Sequence, residues 1–181
     1  MKSNSCENPL GRKTQAPRRQ FLQAAIVGGG GVILGSTFWP LGALAGATDI
    51  LLLSCMDYRV VVETERYMTR RGLRNKYDHI VLAGAALGAV TDKYPEWNKT
   101  FWDELGIAVD LHHIHKVMVL DHRDCGAYKQ ILGEDFAREP KKETEVHAVQ
   151  LKRLRELINE KNERLEVELL LMSLAGRVEK I

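Results

Sequence analysis

Two short polar motifs, each directly after an apolar run, most constrain what this chain can fold into. The runs at residues 50–53 and 117–120 are typical of buried strands. Ser-Cys-Met-Asp-Tyr-Arg follows the first run, at 54–59, and Asp-His-Arg-Asp-Cys-Gly follows the second, at 121–126. In an open parallel sheet, the carboxyl ends of the strands carry the functional site. We therefore expect the chemistry of this protein at that edge.

The two motifs together supply two thiols and one imidazole. Cys55 lies in the first motif, and His122 and Cys125 lie in the second. Two cysteines and one histidine are the ligand set of a catalytic zinc site, whose fourth position stays open for water or substrate. Because only two residues separate His122 from Cys125, one turn can direct both at a single ion. Cys55 joins them from a neighbouring strand, so the sequence predicts a Zn²⁺ site.

A carboxylate and a guanidinium accompany this ligand set. Asp57 lies two residues after Cys55, and Arg59 two residues after Asp57. A carboxylate beside a metal either binds the ion or is held away from it by a guanidinium and accepts a hydrogen bond from metal-bound water. Arg59 suits the second role, and Asp57 as a fourth ligand is the alternative.

The pattern C-x-D-x-R at 55–59 and the pattern H-x-x-C-G at 122–126 resemble the motifs of the beta-class carbonic anhydrases. The resemblance covers residues 49–128 by motif and extends more loosely to the final predicted strand. It implies that Cys55, His122 and Cys125 bind zinc and that Asp57 and Arg59 form the catalytic pair. The implied activity is that of a carbonate dehydratase, the reversible hydration of carbon dioxide to bicarbonate by zinc-bound hydroxide. The implied assembly is a homodimer or a higher homo-oligomer.

One departure from the family pattern bears on the substrate. Many members carry Arg-Asn-Ala-Gly after the second strand, whereas residues 81–84 here are Val-Leu-Ala-Gly. A more apolar pocket suits carbonyl sulfide or carbon disulfide, which the same fold and ligand set also hydrolyse. A further alternative is a zinc-binding or sensor protein without turnover, in which Asp57 closes the metal site.

Residues 1–47 resemble a twin-arginine export signal. The pair Arg18-Arg19 precedes Phe-Leu, and a glycine-rich apolar stretch then leads to small residues. We expect the export machinery to act on this segment and the domain at 48–181 to function in the periplasm. An uncleaved membrane anchor is the alternative, since about 20 to 25 residues can span a bilayer. Four consecutive glycines at 28–31 disfavour such a helix.

Charge and cysteine content narrow the class of partner. The chain has 26 basic and 24 acidic residues. Five of the basic residues and one of the acidic residues lie in the first 47 positions. Residues 48–181 therefore hold 21 basic and 23 acidic residues, which gives them a formal net charge of −2. No basic stripe with interleaved aromatic residues is present, which argues against nucleic acid and favours a small-molecule substrate. Cys6 belongs to the predicted signal. A disulfide between Cys55 and Cys125 is an alternative in an oxidising compartment, but it leaves His122 unexplained.

Alternating strand and helix patterns predict a single α/β domain with a mainly parallel sheet of four to five strands and helices on both faces. Strands are expected at 50–54, 77–82, 114–120 and 165–174, helices at 60–71, 97–113, 126–132 and 143–162, and a turn of small residues at 83–86. The chain contains no C-x-x-C, P-loop or G-x-S-x-G motif, which excludes thioredoxin-type, P-loop and serine-hydrolase chemistry.

Overall fold

The structure is a computed structural model that describes residues 48–181. The predicted export signal at 1–47, with Cys6, lies outside the described residues, so its role stays a prediction. Among the helices of residues 48–181, none combines the length and the apolar character needed to cross a membrane.

One five-stranded sheet organises the domain. The strands are β1 (Ile50–Ser54), β2 (Tyr77–Val81), β3 (Lys116–His122), β4 (Glu166–Met172) and β5 (Val178–Lys180). Their order in the sheet is β2-β1-β3-β4-β5, with β1 to β4 parallel and β5 antiparallel to β4. This confirms the predicted α/β class. The third strand begins two residues later than predicted and continues through His122, because Asp121 and His122 still pair with β4.

Within residues 48–181, five helices connect and cover the strands. They are α1 (Val61–Arg70), α2 (Ala86–Val90), α3 (Pro95–His112), α4 (Gly126–Leu132) and α5 (Pro140–Lys161). The helices α3 and α5 begin earlier than predicted, each at a proline, because the fixed φ and missing N–H of proline suit the first helical position. The predicted turn of small residues at 83–86 is confirmed at 83–85, and α2 begins at the last residue of that segment, Ala86. All five of its residues are buried, and a Cβ added to Gly88 would lie 2.4 Å from the Ala83 carbonyl oxygen.

The central strand β1 is buried on both faces. Leu51 and Leu53 belong to a core cluster that includes Phe101 of α3 and residues of α5. Leu52 belongs to a second cluster on the opposite face, with Met68 of α1. Helices on both faces explain why this strand is a continuous apolar run rather than an alternating one.

A buried ion-pair cluster joins β4 to its neighbours. Glu168 is 7% exposed, and both of its carboxylate oxygens accept hydrogen bonds from the Arg71 guanidinium at 3.1 Å. Lys116 and Lys180 approach the same carboxylate at 2.9 and 3.3 Å. Burial by itself raises the pKa of Glu168, but the hydrogen bonds from Arg71 and Lys116 outweigh it and lower the pKa from 4.5 to about 2.

This cluster predicts a specific acid sensitivity. Because the folded state lowers the pKa of Glu168, the carboxylate stabilises the fold fully above about pH 4.5 and loses this contribution as the pH falls towards about 2. We expect Glu168→Gln to lower the free energy of unfolding by about 2 kcal/mol at pH 7 and to flatten its pH dependence below pH 5. Urea unfolding from pH 7 to pH 2 measures both. Parallel curves for the two proteins below pH 5 would contradict the prediction.

Candidate metal centre

The sheet order places the two motifs side by side. Strand β1 lies between β2 and β3, so the chain leaves β1 towards one side of the sheet and later adds β3 on the other. Such a point, where the strand order reverses, forms a crevice at the carboxyl edge of the sheet. Cys55 directly follows β1, and His122 is the last residue of β3.

Three side chains from these strand ends converge. One ligand atom each from Cys55, His122 and Cys125 lies within 4.8 Å of the other two, and all three residues are buried. The two sulfur atoms are 3.9 Å apart. Two thiolates bound tetrahedrally at about 2.3 Å from one zinc ion would lie about 3.8 Å apart. The donor set and its spacing therefore fit a single zinc ion.

The histidine ring is oriented for metal binding. Its Nδ1 lies 2.9 Å from the carbonyl oxygen of Arg123 and must donate the hydrogen, because a carbonyl oxygen only accepts. The other ring nitrogen, Nε2 of His122, is buried and has no hydrogen-bond partner. A buried polar atom without a partner is costly, and a neutral imidazole nitrogen with a free lone pair is a preferred zinc ligand. The orphaned atom thus marks the side of the ring on which a metal ion would bind.

The two thiols influence each other strongly in the metal-free protein. A hydrogen bond from Cys125 lowers the pKa of Cys55 against the opposing effect of burial, and His122 adds to the lowering. The hydrogen bond to Cys55 and burial raise the pKa of Cys125. The backbone N–H of Gly84 also donates to the Cys55 sulfur at 3.3 Å. These opposite shifts favour the thiolate at Cys55 over a thiolate at Cys125, and a metal that binds both sulfurs as thiolates releases protons from the pair.

Asp57 and Arg59 form a bidentate pair beside the ligand group. The guanidinium donates from Nε to Oδ1 at 3.0 Å and from its NH2 group to Oδ2 at 2.7 Å, and the Arg59 backbone N–H also donates to Oδ1. Hydrogen bonds from Arg59 lower the pKa of Asp57 to about 2. The Oδ2 atom is 3.9 Å from Nε2 of His122, and Asp57 does not belong to the group that shares the 4.8 Å spacing. The structure thus pairs Asp57 with Arg59 next to the site, and its catalytic role stays a prediction.

Two residues outside the predicted set hold this pair in place. The side chain of Asp124 accepts from Arg59 at 2.6 Å and its carbonyl oxygen accepts at 2.7 Å, which links the first motif to the second. Glu143 at the start of α5 is buried and accepts from the Asp124 backbone N–H at 2.6 Å and from Arg123 at 3.0 Å. Asp124 lies inside the second motif and was visible as an extra charge there. Glu143 had no sequence signal, because its partners lie 19 and 20 residues away.

The fold and this group define an α/β protein with a candidate three-ligand metal centre at the switch point of a parallel sheet. A sequence model of the family described as putative carbonic anhydrase matches residues 46–181. The chain belongs to this family. The match contains all five predicted site residues.

Two relatives of known sequence match most of the chain. An uncharacterised protein of Rickettsia bellii is 43% identical over 131 residues, which cover 72% of this chain and 80% of the relative. An uncharacterised protein of Rickettsia conorii is also 43% identical over 131 residues, which cover 72% of this chain and 70% of the relative.

Among solved structures, the chain is similar to the beta-carbonic anhydrase CafD of Aspergillus fumigatus, with a TM-score of 0.52, 13% identity, and coverage of 83% of this chain and 96% of that chain. It is also similar to beta-carbonic anhydrase isoform I of Trichomonas vaginalis, with a TM-score of 0.50, 16% identity, and coverage of 75% and 82%. At these identities the likeness establishes the fold.

Proposed function

We propose that this protein is a zinc-dependent carbonate dehydratase that catalyses the reversible hydration of carbon dioxide to bicarbonate. The observation that carries the proposal is the convergence of Cys55, His122 and Cys125, together with the buried Nε2 of His122, which has no hydrogen-bond partner. Membership of the carbonic anhydrase family supports it.

The chain supplies three metal ligands and, separately, a carboxylate that accepts hydrogen bonds. Cys55, His122 and Cys125 would hold the metal. When bound, a zinc ion with three protein ligands supplies Lewis acidity that makes hydroxide available near neutral pH. With a pKa of about 2, Asp57 is a carboxylate throughout the neutral range, so its oxygens accept hydrogen bonds and do not donate them.

Orientation is the role we assign to the Asp57 carboxylate. Its Oδ2 would accept the hydrogen of the attacking hydroxide and leave an oxygen lone pair directed at the substrate carbon. Arg59 acts through Asp57 as a positioning residue, because its guanidinium contacts both carboxylate oxygens. Asp124 holds the other side of Arg59, and Glu143 holds the backbone of Asp124. This chain of contacts fixes the acceptor relative to the metal ligands.

A second candidate substrate class is also compatible with the apolar side chains near the site. At the carboxyl ends of β1 and β2, large apolar side chains are exposed to solvent; they are Met56, Tyr58, Val61, Val62 and Val81. An apolar rim suits carbonyl sulfide or carbon disulfide, whose hydrolysis would use the same hydroxide. Carbon dioxide is also apolar, so the same rim accommodates either substrate class.

Parallel assays on one zinc-loaded sample distinguish the two activities. We expect stopped-flow measurements with a pH indicator to show catalysed hydration of carbon dioxide above the buffer rate, because the ligand group and the Asp57–Arg59 pair match that chemistry. Sulfide release from carbonyl sulfide and carbon disulfide is measured in the same buffer. Sulfide release without hydration of carbon dioxide would contradict the carbonate dehydratase proposal and support hydrolysis of carbonyl sulfide or carbon disulfide. Zinc binding without either activity would favour a sensor or storage role.

We also propose a location and an assembly for the protein. Residues 1–47 would direct twin-arginine export to the periplasm, which is supported by Arg18-Arg19 and the glycine-rich apolar stretch that follows them. The exposed apolar rim supports association of two or more copies through this face, since an exposed patch of large apolar side chains is typical of an interface.

A further inference from the structure

A second buried carboxylate lies next to the candidate metal ligands and has no part in the proposed chemistry. The side chain of Asp121, which directly precedes His122, is fully buried. No lysine or arginine of residues 48–181 forms an ion pair with it. A buried carboxylate without a lysine or arginine partner requires strong hydrogen bonds. Asp121 therefore needs an explanation in terms of the donors that surround it.

Three donors from three different segments meet this carboxylate. Its Oδ1 accepts from the backbone N–H of Ala86 at 2.9 Å. Its Oδ2 accepts from the Tyr128 hydroxyl at 2.5 Å and lies 2.8 Å from Nδ1 of His147. The rings of Tyr128 and His147 are 3.8 Å apart. Asp121 thus ties the start of α2, the helix α4 and the helix α5 to the end of β3.

The first of these segments also reaches a metal-facing sulfur. Gly84 lies two residues before Ala86 and donates its backbone N–H to the Cys55 sulfur at 3.3 Å. Between them, Ala85 has a φ of 37°, a conformation that residues with a Cβ rarely adopt. Such a backbone persists only where surrounding contacts hold it. The hydrogen bond from Ala86 to Asp121 is a contact of this kind, directly beside the strained residue.

The second segment begins at the other sulfur. Helix α4 starts at Gly126, immediately after Cys125, and Tyr128 lies in its first turn. The Tyr128 hydroxyl is therefore an anchor that holds the beginning of α4, and with it Cys125, against Asp121. The two oxygens of one carboxylate are connected to the backbone around both cysteines.

We propose that Asp121 is a positioning residue that sets the placement of, and the hydrogen bonding to, the two sulfur ligands. This inference rests on the metal site of the proposed function. An N–H group that donates to a thiolate withdraws charge from the sulfur, and contacts of this kind tune metal affinity. A residue that merely stabilises the core would change the stability of the fold and leave the sulfur ligands as they are.

Asp121→Asn tests the proposal, because asparagine keeps the size of the side chain and one oxygen for Ala86 but presents an NH2 group to Tyr128 and His147. We expect the affinity for zinc, measured by chelator competition, to fall by about 10-fold. In the cobalt-loaded protein, the sulfur-to-cobalt charge-transfer band should shift. In the metal-free protein, the amide proton resonances of Gly84 and Ala86 should move upfield as their hydrogen bonds weaken.

Two further variants make the test decisive. Glu168→Gln removes another buried carboxylate, far from the ligand set, and should lower stability while zinc affinity and the cobalt band stay as in the wild type. Tyr128→Phe removes one donor with little change of shape and should lower zinc affinity by about threefold. If Asp121→Asn does not fold, Tyr128→Phe decides by the same readouts.

The proposal is overturned if the folded Asp121 and Tyr128 variants keep the wild-type affinity and cobalt band, or if Glu168→Gln weakens zinc binding as much as they do. Failure of the wild-type protein to bind zinc would instead overturn the proposed metal site. The amide resonances of Gly84 and Ala86 in the metal-free protein would then still test whether Asp121 holds this turn.

Discussion

Replacing Cys125 by alanine is expected to abolish zinc binding at micromolar concentrations and to reduce carbon dioxide hydration to the uncatalysed rate. Cys125 supplies one of only three protein ligands in the proposed site, and its sulfur lies 3.9 Å from that of Cys55. Zinc sites with four protein ligands bind with about 10–16 kcal/mol, so one ligand contributes about 3 kcal/mol, or about 100-fold in Kd. Metal analysis after dialysis and stopped-flow hydration measure the two losses.

The chain offers a matched control for this change. Cys6 is the third cysteine of the sequence and belongs to the predicted export signal. Produced as the full chain with residues 1–47 retained, the Cys6→Ala variant should keep the zinc content and the turnover of the full-length wild type. Far-ultraviolet circular dichroism of the Cys125 variant checks that the loss of metal does not reflect an unfolded chain. A folded Cys125→Ala protein with one zinc ion per chain would show that Cys125 is not a ligand.

Replacing Asp57 by asparagine is expected to separate metal binding from turnover. The variant should retain zinc, because the Asp57 carboxylate lies outside the ligand group and both of its oxygens already accept from Arg59. Turnover should fall by about 100-fold, the usual contribution of a positioned proton acceptor. An amide presents an NH2 group where Arg59 and the hydroxide both need an acceptor. Stopped-flow hydration and zinc analysis on the same sample measure the two effects.

Asp92→Asn is the control for the Asp57 substitution, because it makes the same chemical change at an exposed position. It should preserve both zinc content and turnover. Equal loss of zinc in the Asp57 and Cys125 variants would identify Asp57 as a metal ligand and favour the sensor function. Because the pKa of Asp57 is about 2, an acid limb of the rate profile above pH 5 must arise from another group.

Local patterns were sufficient for the elements that carry the motifs. Strand β1 (Ile50–Ser54) and helix α4 (Gly126–Leu132) have the predicted bounds, because a wholly apolar run and a helix start after a turn are local signals. The predicted turn at 83–86 is confirmed at 83–85, whereas α2 was not predicted, because five residues are too few for a helical pattern and only close packing defines the helix. The sequence pattern also ended β3 two residues early, because the polar residues Asp121 and His122 are an unusual end for a buried strand. Pairing with β4 extends the strand through both of them.

The sequence by itself determined the identity of the proposed ligands and the edge of the sheet where they lie, because residue chemistry and strand pattern are both encoded locally. Only the tertiary structure decided how the ligands are supported. Asp124 contacts Arg59 across 65 residues, and Asp121 meets His147 across 26. Such hydrogen bonds depend on how helices pack on the sheet, which no short stretch of sequence specifies. At Asp121 burial then makes the contact strong, because donors and acceptors removed from water must satisfy one another.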